Sequence, residues 1–282
     1  MKIPRYWARR MQVAQAPNGQ SRRIDCWGWS DLNLSEAQAR AEARVESIAA
    51  KVRSGQTLDR YGYGERALRE EIVDGIRDRS GGDAALITRN QYGARVLNAA
   101  RALFIDIDLP ESQPDAGGMF KRLFGGKAPD PAAAQLERIG QWAQRNPFLG
   151  MRVYRTAAGL RGLITNEVFD PARADTLDIL RTLGSDPLYV RLCQAQGCFR
   201  ARLTPKPWRC EMPNPPIGFP WEDAGAEARF RDWERRYERA SAGYAVCKPV
   251  AAFGPREIHP EVAEVMAYHD RLTLAAQERP LA

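Results

Sequence analysis

The sequence predicts an α+β protein: a mixed or antiparallel sheet core with packed helices, preceded by a hairpin-helix module and followed by C-terminal helices. Three observations predict it. Asn18-Gly19 stands between two β-prone runs, Tyr6 to Val13 and Arg22 to Trp29, and Asn-Gly in that setting is the strongest short-range hairpin signal. Short apolar runs broken by turn residues follow between Ala84 and Asp108. Stripes of helical spacing lie before and after them.

The elements follow in order. Ser35 with Gln38 forms a capping-box start, and Ala37, Ala41, Val45, Ile48 and Val52 make one helical stripe that packs on the hairpin. The opposite face mixes Arg40, Arg44, Lys51 and Arg53 with Glu36, Glu42 and Glu46, the pattern of a solvated helix. Tyr61-Gly62-Tyr63-Gly64 reads as a loop or domain joint, and Ala67 to Arg79 as a short helix closed by Gly81-Gly82, which ends a first domain at 1–82. Ala84 to Thr88, Ala94 to Asn98 and Ala102 to Asp108 read as a meander.

Asp115 to Pro131 has loop composition, and Ala132 to Arg145 continues as a helix with Leu136, Ile139, Gln141, Trp142 and Ala143 near its buried side. Met151 to Arg155 and Leu160 to Thr165 form a strand pair across Ala157-Ala158-Gly159. A helix from Pro171 to Leu183 and a strand from Cys198 to Leu203 complete a core domain at 83–210. The proline-rich stretch Pro205 to Pro220 should run extended over the core and leads into the last domain, 211–282. Ala224 to Ala240 is helical, with Phe230, Trp233 and Tyr237 as a core stripe, and a last helix covers about Pro260 to Gln277.

With 44% hydrophobic and 27% charged residues over a length of 282, the chain is neither disordered, collagen-like nor of low complexity. No apolar run approaches the roughly 20 residues that cross a bilayer. Met1 to Arg10 carries no apolar stretch after its charges, so a cytoplasmic protein without a membrane partner is expected. Cys26, Cys193, Cys198, Cys210 and Cys247 are odd in number and lack metal-ligand spacing, which argues for free buried thiols. A net charge of +7 and a pI near 9.3 suit a polyanionic partner.

The sharpest feature is Leu103-Phe104-Ile105-Asp106-Ile107-Asp108-Leu109-Pro110. A period of two puts Asp106 and Asp108 on one face of a strand. Like charges so close repel, and a hard cation such as Mg²⁺ or Mn²⁺ relieves them; the alternative is that the strand simply exits there. The hairpin from Arg152 to Leu163 carries Arg155, Thr156, Gly159 and Arg161. It suits either a phosphate contact, through small residues and guanidinium forks, or an ordinary exposed hairpin. Arg200 and Arg202 share a strand face leading to Lys206 and Arg209, which should be strongly positive. Asp186 offers a third acid or a helix N-cap.

This order of motifs over roughly Ala84 to Arg209 resembles that of the archaeo-eukaryotic primases and primase-polymerases. The resemblance implies a catalytic core in which Asp106 and Asp108 bind Mg²⁺ or Mn²⁺ and Asp186 completes the acid set. Arg155, Thr156, Gly159, Arg161, Arg200, Arg202 and Lys206 would hold the triphosphate of a nucleotide. The implied reaction is metal-dependent nucleotidyl transfer, with a nucleoside triphosphate and DNA or RNA as partners and a protein partner left open. The chain departs from the family at Arg161, where the second motif ends in a His, and the flanking segments have no counterpart.

Other signatures fail. Gly117 to Lys127 lacks the first P-loop glycine, and Ala128 stands where Ser or Thr is required. His259 and His269 are the only histidines, no GxSxG accompanies them, and His269-Asp270 is a weak hint of a metal site that reads more simply as a surface or capping pair on the last helix. Besides nucleotidyl transfer, two readings stand: a catalytically inactive nucleic-acid-binding or complex-forming protein, and a metal-dependent nuclease or phosphoesterase using the same carboxylates.

Overall fold

The computed structural model describes residues 1–56, 68–110 and 131–282. The fold is α+β, with antiparallel strand pairs in open sheets and helices packed against them. Two compact units divide it: one contains Lys2–Ile72 and Pro215–Trp233, the other Met1, Val73–Asn214 and Glu234–Ala282. Of residues 211–282, Pro215–Trp233 fall in the first of these units and the rest in the second. The expected loop at Tyr61 to Gly64, the expected loop at Asp115 to Pro131 except for Pro131 itself, which opens a helix, and the failed P-loop at Gly117 to Lys127 lie outside the described residues.

In the first unit β1 (Tyr6–Gln15) and β2 (Ser21–Ser30) pair with Trp7 opposite Trp29 and Ala14 opposite Arg22. The turn forms where Asn18-Gly19 places it, with Gly19 at φ 81°. Helix α1 (Leu34–Arg53) lies on this hairpin and buries Ala37, Ala41, Val45, Ala49 and Val52. Its N-cap is Asn33, whose side chain accepts from the Glu36 N–H at 2.8 Å, rather than Ser35. Ser30 is taken up in the same corner, receiving the Leu32 N–H at 2.9 Å and bonding to Glu36. The close approach of helix and hairpin depends on Gly28, because a Cβ there would overlap the Ala37 carbonyl and the Ala41 backbone nitrogen.

The second unit holds two four-stranded sheets. One has the order β3-β4-β5-β9, from β3 (Glu71–Arg77), β4 (Asp83–Arg89), β5 (Arg95–Ala99) and β9 (Phe199–Arg202). The other has the order β10-β7-β8-β6, from β6 (Phe104–Asp108), β7 (Met151–Thr156), β8 (Gly159–Ile164) and β10 (Cys247–Phe253). Two expectations fail here. Where the sequence predicts a helix over Ala67 to Arg79, Glu71–Arg77 is strand β3 and no described residue is helical, and Gly81-Gly82 close a hairpin, with the Asp78 N–H donating to Gly82 O at 2.9 Å. Ile72, Val73 and Ile76 supplied a β-branched signal that strand pairing with β4 rewards. The meander also breaks, since β6 leaves β5 and pairs with β8.

Helices α2 (Pro131–Arg145), α3 (Ala174–Thr182), α4 (Pro187–Gln196), α5 (Ala224–Ser241) and α6 (Pro260–Leu272) complete the fold. Ala132, Gln135, Ile139, Trp142 and Ala143 are the buried positions of α2, and Gln141 is exposed. Helix α3 starts at Ala174, three residues after Pro171, with Arg173 as N-cap. The aromatic stripe Phe230, Trp233 and Tyr237 is fully buried, at 3%, 1% and 1% exposure. All five cysteines are buried, and none is in a disulfide. No helix among the described residues is long and apolar enough to cross a membrane.

Candidate functional site

Strand β6 pairs in register with β8, so Phe104 faces Leu163, Asp106 faces Arg161 and Asp108 faces Gly159. Side chains of paired residues share a face, and the face that carries Asp106 and Asp108 therefore also carries Arg161 and, through β7, Tyr154. Asp106 is half-buried and Asp108 exposed. The Asp108 carboxyl is pushed up from its usual range by lost hydration, then by the charges of Asp106 and Asp186, against the pull of Lys206 and Arg202. The three aspartates and the basic segment after β9 thus share one electrostatic neighbourhood.

Strand topology explains that meeting. β6 ends one sheet and β9 ends the other, and the two end strands approach one another. Arg161 crosses between them, donating from Nη1 to the Arg202 carbonyl at 2.9 Å. Beyond β9, Tyr237 on α5 donates to Pro205 O at 2.5 Å and lies 2.8 Å from Thr204 Oγ1, which pins the backbone just before Lys206. Pro207–Cys210 then turns as a single 3-10 turn.

The basic cluster is dense and short of acceptors. Burial, with Arg161 and Arg209 beside it, lowers the Arg202 guanidinium to about 10, and only Asp106 and Tyr237 pull the other way. Lys206 is lowered by burial and by Arg202 and Arg209. Arg161 Nε, Arg202 Nε and Arg209 Nη1 are buried without a hydrogen-bond acceptor among the described residues. Buried guanidinium nitrogens without an acceptor among the described residues, in cations that crowd one another, are costly in the protein alone, and an anion relieves them.

Not every expected residue joins this site. Arg155 pairs with Leu160 on β8, one residue out of step with Arg161, so its side chain leaves on the opposite sheet face, where Nη1 donates to Gly159 O at 3.1 Å. Thr156 is buried. Gly159 is needed for strand pairing, since a Cβ there would overlap the Ile107 carbonyl. Arg200 donates to Gln196 Oε1 at 3.0 Å, toward α4. Asp186 does both things the sequence offered. Its carboxylate caps α4 by accepting the Leu188 and Tyr189 N–H groups at 3.1 and 3.3 Å, while its own N–H donates to Asp106 O at 3.1 Å. Among the described residues no group of three or more His, Cys, Asp or Glu side chains is arranged to hold a metal ion.

No family model, curated protein or solved structure matches the chain. The site stands on its own geometry.

Sequence reasoning missed His269. It is fully buried, not a surface residue, and its ring packs at 5.2 Å from Phe104 and 5.1 Å from Tyr154. Nε2 lies 3.0 Å from Arg161 Nη1 and Nδ1 lies 2.9 Å from Asp270 Oδ1. A guanidinium only donates, so Nε2 accepts and the proton sits on Nδ1, directed at the carboxylate. Burial holds the imidazole down to about 4, with Arg161 adding to that effect against the pull of Asp270. Asp270 in turn receives the Tyr154 hydroxyl at 2.8 Å and Arg152 at 3.0 Å. The signal was present in the sequence: Val262, Val265, Met266 and His269 fall at i, i+3, i+4 and i+7, and all four are buried.

Proposed function

We propose that the chain binds the phosphates of a nucleoside triphosphate or of nucleic acid, together with Mg²⁺ or Mn²⁺, in the manner of a primase-like nucleotidyl-transfer core. The observation that carries this reading is the opposition of Asp106 and Asp108 on one end strand to Arg202 at the end of the other and Lys206 and Arg209 after it, with buried guanidinium nitrogens that lack an acceptor among the described residues. A phosphate would supply those acceptors.

The residues present fit a divalent cation. Mg²⁺ is commonly held by one or two carboxylates, the rest of its shell coming from water and substrate phosphate, and Asp106 and Asp108 are those two donors. A bound ion would neutralise charge between the aspartates and the phosphates and act as a Lewis acid on a phosphoryl oxygen. The protein's own part is positional. Arg202 and Lys206 orient phosphate oxygens, Arg161 fixes the spacing of the two end strands through the Arg202 carbonyl, and His269 fixes Arg161.

A second reading, binding without catalysis, is favoured by Asp186. Its carboxylate is engaged by two backbone N–H groups of α4, which leaves two acids rather than three to face an ion. Calorimetry with a nucleoside triphosphate and Mn²⁺, on wild type and on Asp106→Asn with Asp108→Asn, tests the common core of both readings. Binding in wild type alone supports it, and extension of primed and unprimed templates then separates transferase from binder. No heat in either folded protein overturns both.

A further inference from the structure

Trp208 is the one exposed tryptophan of the seven in the chain, at 49%. A single exposed apolar residue is ordinary, but this ring is fixed and has charged neighbours. The 3-10 turn that carries it is closed by the Arg209 N–H to Lys206 O at 2.9 Å and the Met212 N–H to Pro207 O at 3.0 Å. The Tyr92 ring stands perpendicular to it, at 89° and 5.2 Å between centroids. Tyr92 is itself set in the β4–β5 turn, where Asn90 Oδ1 accepts the Tyr92 N–H at 3.0 Å.

The charges come from the same turn. The Lys206 ammonium lies 5.3 Å from the Trp208 ring centroid, within cation–π range. Arg209 follows in the chain, and both act on Arg202 and on each other electrostatically. A half-exposed aromatic face held against Tyr92, beside a cluster of cations in which Arg202 Nε and Arg209 Nη1 have no acceptor among the described residues, matches the two halves of a nucleotide: stacking for the base and positive charge for the phosphate.

We propose that Trp208, steadied by Tyr92, is the stacking platform for a nucleobase whose phosphates lie on Lys206, Arg202 and Arg209. The proposal rests on the phosphate-binding reading above and narrows its ligand from polyphosphate to a base-bearing one. The base could belong to a free nucleoside triphosphate or to a single strand, and the test separates them.

Affinities are measured by calorimetry in Mn²⁺ for wild type, Trp208→Ala and Trp208→Phe, using ATP against tripolyphosphate and a short oligodeoxynucleotide against an abasic strand of equal length. Loss of one base–aromatic stack lowers affinity by about tenfold. Wild type should therefore prefer the base-bearing member of at least one pair by about that factor. Trp208→Ala should erase the preference without weakening the base-free ligand, and Trp208→Phe should keep most of it. Erasure with ATP assigns the base to a free nucleotide; erasure with the oligonucleotide alone assigns it to a strand.

An unchanged preference in Trp208→Ala overturns the proposal. So does an equal loss for base-free and base-bearing ligands, which would make Trp208 a support for Lys206. If wild type binds none of the four ligands, the phosphate-binding reading itself fails and the stacking platform falls with it.

Discussion

Arg161 reaches His269 across 108 residues of sequence, with Nη1 3.0 Å from Nε2. The same guanidinium bonds the Arg202 carbonyl, so one fully buried imidazole governs how the end strand bearing the aspartates meets the end strand bearing the cations. The neutral tautomer is required, because a protonated Nε2 would point an N–H at a guanidinium.

That requirement gives a pH signature. The folded-state value of His269, about 4, lies below its ordinary 6.5, so the unfolded chain takes up this proton first. Its stabilising contribution is complete above 6.5 and is lost as pH falls toward 4. Urea unfolding at pH 7 and pH 4.5 should show wild type losing about 2 kcal/mol more than His269→Gln over that interval. Equal losses would mean that His269 is not held neutral.

Asp108 works in the opposite direction. Its raised folded-state value means that it disfavours the folded state once ionised, as pH rises through that value. Asp108→Asn should raise Tm at pH 7 by no more than about 3 °C, given the exposure of the group, and the gain should vanish as pH falls and wild type takes up the proton. Millimolar Mn²⁺ should raise the Tm of wild type and leave that of Asp106→Asn with Asp108→Asn unchanged. A rise in both proteins would place the ion elsewhere.

Arg202 combines a half-buried side chain, a lowered guanidinium and a buried Nε without an acceptor among the described residues. Replacing a buried charge with an apolar side chain of similar length is often neutral or stabilising. Arg202→Met should thus match or exceed wild type in Tm while losing about tenfold or more in tripolyphosphate affinity. A Tm drop of more than about 5 °C, roughly 1 to 2 kcal/mol for a chain of this size, would mark Arg202 as a structural residue.

Gly28 tests the first unit by itself. A Cβ there would overlap the α1 backbone at Ala37 and Ala41, and backbone cannot yield as a side-chain tip can. Gly28→Ala should cost about 3 kcal/mol or more, read by urea unfolding. A cost under about 1 kcal/mol would show that the helix can lift from the hairpin.

Local pattern carried much of the fold. The Asn18-Gly19 hairpin, the α1 stripe, the β7–β8 pair across Ala157-Ala158-Gly159 and the buried stripe Phe230, Trp233 and Tyr237 all follow from spacing, because each is decided by residues close in sequence. The readings that failed were of two kinds. Asn33 displaced Ser35 as cap, and α3 began after Pro171 rather than at it, which are shifts of two and three residues at helix ends. The loss of the Ala67 to Arg79 helix to β3 was of another kind, since pairing with β4 overrode a helix-compatible stretch.

The sequence by itself determined that Asp106 and Asp108 share a strand face, that Arg202 and Arg200 share another, and that the basic residues Lys206 and Arg209 follow; the 3-10 turn that carries them, in a stretch expected to run extended, is the structure's. Alternation along an extended chain requires no partner. Only the tertiary structure decided that β6 would leave β5 for β8, that β6 and β9 would become neighbouring end strands, that Arg155 would fall on the wrong face, and that His269 would come in from the last helix to seat Arg161. Strand partners and buried polar contacts are chosen by packing between segments distant in sequence, and a period of two or of 3.6 carries no information about which distant segment that will be.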